Sequence, residues 1–174
     1  MTTARERLVE WLRDTYAAEQ QAETMLRRTA GQIEGHAEFR AGLERHGAQS
    51  GEQAQRLERC LEQLGESPSL IKTVTGQITA FAQTLAGYVV GDEPVKAVLA
   101  TATFAHMEVS SYRILIAAAQ AAGEAEVARV CEALLGEETR FAEWLDRQLG
   151  PVTSTYLAEG AGSGRTAAAP GLVG

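Results

Sequence analysis

The chain has 174 residues, a length that suits one domain whose core stands without disulfide or metal staples. Hydrophobic residues make up 45%, charged residues 22% and aromatic residues 6%, a globular and helical balance rather than a disordered one. Acidic residues outnumber basic ones 23 to 16, so no basic stripe awaits nucleic acid; a charged start and no run of 18 apolar residues predict a cytoplasmic protein with no membrane partner.

Residues 4–31 place Leu8, Leu12, Tyr16, Glu19, Ala22 and Leu26 on one stripe at steps of three and four, which predicts an amphipathic helix. Gly31 to Gly35 breaks it. A second helix then runs to Gly65 with Phe39, Leu43, His46, Ser50, Gln53, Leu57, Leu61 and Leu64 on its stripe. Residues 66–91 open on Glu66-Ser67-Pro68-Ser69 and carry a weaker stripe of Leu70, Ile71, Val74, Ile78, Phe81 and Leu85, which predicts a helical connector. Pro94 sits in the first turn of a nearly all-apolar helix that Gly123 ends, expected to be the most buried of the set.

The last long helix is predicted over 124–149, with Val127, Val130, Leu134, Glu138, Phe141 and Leu145 inward, stopped by Gly150-Pro151 and followed by a remnant to Glu159. From Gly160 the chain is rich in Gly, Ala and Ser, so the bundle is read as 1–159 and the flexible tail as 160–174. Cys60 and Cys131 stand alone on helical patterns and are expected to be reduced thiols.

Short links join helices one and two and helices three and four, so each pair is an antiparallel hairpin. The middle connection, about 27 residues, is long enough to travel back along a bundle, where an up-down-up-down path needs only a few. The predicted fold is therefore all-α: a ferritin-like four-helix bundle with a long, partly helical crossover between helices two and three.

Polar residues on apolar stripes require a reason, because an unpaired carboxylate in a helix core costs several kcal/mol. Glu19 lies about 15 residues before the first turn, and His46, Gln49, Ser50 and Gln53 bracket the same distance after it. Glu108 and Glu138 flank the second turn at the same separation, with His106 beside Glu108. At about 1.5 Å per residue both sets sit about 22 Å from their turns, so all four helices bring polar groups to mid-height. Facing helices can hold iron or manganese with such carboxylate and imidazole donors; a hydrogen-bonded layer that sets register is the competing reading. Tyr16 and Tyr112 lie one turn from Glu19 and Glu108, in reach as outer donors or as core packing. No Ser/His/Asp triad, phosphate loop or cysteine zinc pattern is present, which removes hydrolase, nucleotide-binding and zinc-module readings.

Leu12-Arg13-Asp14-Thr15-Tyr16-Ala17-Ala18-Glu19-Gln20-Gln21, His46 to Gln53 with Arg56-Leu57-Glu58, His106-Met107-Glu108-Val109-Ser110-Ser111-Tyr112 and Leu135-Gly136-Glu137-Glu138 together resemble the ferritin-like proteins of the YciE/YciF type. The likeness spans residues 5 to about 149 and implies a ferritin-like bundle, a homodimer, a stress-associated role and, in some members, a two-metal site. The family pattern has Glu where this chain has Gln49 and Ala105, and Asp where it has Ala142. What remains is Glu19, His46, Gln49, Gln53, His106, Glu108 and Glu138, an incomplete set that suits one iron or manganese ion better than two. The sequence thus favours a bundle that kept its fold without a complete catalytic centre. A di-metal oxidase, peroxidase or iron handler is the alternative, and an interaction module docking through its acidic surface or tail is a third.

Overall fold

Thr3 starts the first helix with a reciprocal cap. Its hydroxyl accepts from the Glu6 backbone N–H at 3.2 Å, and the Glu6 carboxylate accepts the Thr3 N–H at 2.7 Å. The computed structural model describes residues 2–66 and 93–163, with side chains described to residue 159. Among the described residues four helices are seen: α1 (Ala4–Gln32), α2 (Ala37–Gln63), α3 (Pro94–Ala122) and α4 (Ala125–Ser163). Gly123 closes α3 in the left-handed conformation, φ 75°, which a residue without Cβ adopts freely.

Arg5 fixes the topology. Its guanidinium donates to the Leu64 carbonyl at 2.9 Å, past the end of α2, and to Glu124 at 3.1 Å, past the end of α3. The start of α1 therefore meets the ends of both α2 and α3, so α2 and α3 run in the same direction. That is the arrangement a long crossover demands, and the bundle is ferritin-like. The predicted helical connector and the predicted tail beyond residue 163 lie outside the described residues. At the opposite end Gly35 faces the Glu159 carboxylate. Around the bundle α1 adjoins α2 and α3, and α4 adjoins α3 and α2, the α2–α4 seam being the most open of these.

Two apolar clusters fill the interior. One gathers Ala22, Leu26, Phe39, Leu43, Val98, Phe104, Leu145 and Val152 near the α1–α2 turn. The other gathers Leu8, Leu12, Leu57, Leu61, Leu115, Cys131 and Leu134 near the α3–α4 turn. Cys60 and Cys131 are buried and unpaired in this second cluster. α3 carries more apolar surface than the described residues bury, since Leu99 is 55% and Ile114 53% exposed. No helix among the described residues is long and apolar enough to cross a membrane.

One boundary differs from the sequence reading. α4 does not stop at Gly150-Pro151 but continues through Pro151 to Ser163, four residues past the predicted remnant at Glu159. Proline inside a helix gives up one backbone hydrogen bond and presses its ring on the carbonyl of the preceding turn, a cost of about 3 kcal/mol, and glycine before it removes only the part of the crowding that a Cβ would add. Val152, 2% exposed, then anchors the next turn into the core.

Candidate metal centre

Between the two apolar clusters each helix turns a polar residue inward: Glu19 from α1, His46, Ser50 and Gln53 from α2, Glu108 from α3 and Glu138 from α4, all buried. The stripes dictate this, because each is spaced from its apolar neighbours at the helical repeat.

His46, Glu108 and Glu138 converge, each offering a donor atom within 4.8 Å of the others. His46 Nε2 and Glu138 Oε2 are 3.2 Å apart. The His46 ring stacks on Phe141 with centroids 3.4 Å apart and planes 15° from parallel, which fixes the orientation of the imidazole. Glu19 is held from α3: the Tyr112 hydroxyl donates to its Oε1 at 2.5 Å. Tyr16 does not reach the centre, its hydroxyl accepting instead from Gln20 at 2.8 Å.

Much of the oxygen here lacks a partner. Glu19 Oε2, both oxygens of Glu108, Glu138 Oε1 and Gln53 Oε1 are buried without a hydrogen bond. No Lys or Arg is buried among the described residues. Burial pushes the Glu19 carboxyl well above the ordinary value of 4.5, and the nearby Glu138 charge adds to it. Burial does the same to Glu108, reinforced by Glu19 and Glu138. The Tyr112 phenol is likewise driven up by burial and by Glu19.

Gln49 and Gln53 serve a different partner. Both side-chain amides donate to Glu137 Oε2 at 3.1 Å, and Arg56 donates to Glu137 Oε1 at 2.7 Å. Burial alone would raise the Glu137 carboxyl, but Arg56 and the two amides outweigh it and hold it below the usual range. No local pattern in the sequence announces this network; the opposite charges of Arg56 and Glu137 are its one trace there. His106 is not at the centre. It lies on the outer face of α3, where Nε2 is 3.1 Å from Asp146 Oδ1, because the helix turns about 200° between positions 106 and 108.

One nitrogen and several orphaned carboxylate oxygens, near each other and without a buried cation, suit one divalent ion of borderline hardness. A second ion is poorly served. Ala105 and Ala142, one turn from Glu108 and Glu138, are buried in the apolar cluster, as is Phe141. The residues therefore fit one metal and not a carboxylate-rich pair.

Residues 3–158 match the model of a domain of unknown function, DUF892. The fold is also similar to that of a protein from Xanthomonas campestris pv. campestris, with 37% identity over 91% of this chain and 98% of that one and a TM-score of 0.77. The Escherichia coli stress protein YciF is 21% identical over 88% of this chain and 99% of its own, with a TM-score of 0.77. A ferritin-like, diiron-carboxylate protein from Bacillus anthracis is 18% identical over 86% of this chain and 99% of that one, with a TM-score of 0.70. Matched over most of its length by that family model, the chain belongs to the DUF892 family, and it shares the fold of YciF and of the ferritin-like diiron-carboxylate protein.

Proposed function

We propose that this bundle holds a single divalent ion, Fe(II) or Mn(II), with His46, Glu108 and Glu138 as ligands and Glu19 beside them, and that it has no two-metal oxidase chemistry. The observation that carries this reading is the set of buried, unpartnered carboxylate oxygens around His46 with no buried Lys or Arg among the described residues. Isolated charge in such a place costs several kcal/mol, and a bound divalent cation compensates it. Tyr112 orients Glu19, Phe141 orients His46, and Ala105 and Ala142 deny a second ion its oxygens.

Metal analysis of untagged protein is the test, with at most one equivalent of iron or manganese expected. Replacing Glu19, Glu108 and Glu138 by Gln, Leu and Gln should leave the metal-free fold intact or more stable and remove any metal-dependent rise in melting temperature. Two equivalents of iron, with several kcal/mol lost on that triple change, would replace this reading with the diiron one.

The proposal includes a homodimer in the cytoplasm, supported by exposed Leu99 and Ile114 on α3. A mass of 18.6 kDa by light scattering would overturn the dimer. A stress-associated role rests on the likeness to YciF, and protein abundance that does not change under osmotic or oxidative challenge would count against it.

A further inference from the structure

The open seam between α2 and α4 holds a cleft of about 180 Å³, which shares His46 and Phe141 with the metal centre. At about 30 Å³ of liquid per molecule it has room for about six waters, the bulk of a small organic molecule. His46 forms part of its wall, with Phe141 and Trp144 from α4 beside it. These rings lie nearly parallel, 15° between His46 and Phe141 and 16° between Phe141 and Trp144. The Trp144 indole reaches across to α2 where Gly42 leaves space: a Cβ there would stand 2.1 Å from the ring.

The charges in the cleft are not balanced. Arg45 and Arg140 line it, and neither is ion-paired among the described residues. Its acidic residue, Glu137, is already held by Arg56, Gln49 and Gln53. The lining thus presents two free guanidinium groups next to an aromatic wall. Guanidinium forks match carboxylates in geometry, and ligand clefts commonly pair apolar walls with a few charged groups that orient the guest.

We propose that the α2–α4 cleft binds a small planar organic anion, its carboxylate between Arg45 and Arg140 and its body along the edges of the Trp144 and Phe141 rings that line the cleft, beside His46. This stands on the cleft alone and holds whether or not a metal occupies the centre.

Full-length protein carrying Trp11→Phe tests it, because Trp144 is then the one remaining tryptophan of two. Benzoate titrated at constant ionic strength should change Trp144 emission saturably. Arg45→Gln and Arg140→Gln should each weaken binding by about tenfold, the effect of losing one charged hydrogen bond. Inorganic phosphate at equal concentration should not compete. No saturable change, unaltered binding in both arginine variants, or equal competition by phosphate would each overturn the proposal. Ligand-observed NMR on the wild-type chain makes the same comparison of benzoate with phosphate should Trp11→Phe not fold.

Discussion

The Tyr112 hydroxyl donates to Glu19 Oε1 at 2.5 Å, joining α3 to α1 through the buried centre. Tyr112→Phe removes this donor and leaves the buried Glu19 Oε1 without its phenol partner. Such an orphan costs about 1 to 3 kcal/mol, and a loss of that size is expected by urea denaturation of metal-free protein. The loss should shrink in saturating Mn(II) if the ion satisfies the carboxylate. An unchanged midpoint in metal-free protein would mean that Glu19 has another partner.

The carboxyls of Glu19 and Glu108 are raised above 4.5 by burial and then by neighbouring carboxylates. A raised folded-state value means that the folded protein keeps protons the unfolded chain has released, so stability is greatest below the unfolded value and falls as pH rises through the folded one. The metal-free bundle should therefore lose melting temperature as pH rises above the ordinary carboxyl value of 4.5. Metal binds the ionised carboxylates, so with Mn(II) present the slope should flatten or reverse. Calorimetry at a series of pH values, with chelator or with Mn(II), checks both, and parallel curves would contradict the shared site.

Height along the bundle was legible in the sequence and direction around each helix was less so. Counting from the two hairpin turns puts Glu19, His46, Glu108 and Glu138 level, because rise per residue is constant in a helix. The same count places His106 at that height too, yet it points at Asp146 on the surface. Gln49 and Gln53 lie one turn apart on the face that meets Glu137, a partner 84 or more positions away that no local pattern announces. The crossover followed from loop length. The run of α4 through Pro151 did not, because the local cost of proline is outweighed by packing of the turn that carries buried Val152, and those packing partners are distant in sequence.

Gly42→Ala sets two effects against each other. Alanine gains up to about 1 kcal/mol of helix propensity over glycine. Its Cβ would stand 2.1 Å from the Trp144 ring, which is itself packed between Phe39 and Phe141, and overpacking of this kind costs about 1 to 3 kcal/mol. A net loss is expected, with an altered Trp144 emission spectrum. Greater stability with the spectrum unchanged would show that the indole does not lie against α2.

Burial pushes the Cys131 thiol up to about 12, and the nearby Cys60, also raised by burial, contributes to it. Thiolate is the reactive form, so neither cysteine should react with a thiol reagent in the native protein at neutral pH, and both should react on unfolding. Fast labelling of either thiol in the native state would place it outside the core. A mass two daltons low under non-reducing conditions would mean that the two had joined.

Among the described residues the polar layer lies between the two apolar clusters, and partly buried Leu135 packs against both. Among the described residues the four helices, by running through both, and Leu135 tie the halves together. In the metal-free protein, mid-height is then the weak storey: amide hydrogens near Glu19 and Glu108 should exchange by local opening before those near Leu12 or Leu26. An ion bridging α2, α3 and α4 at that level would act as a keystone, turning two halves that loosen separately into one cooperative unit.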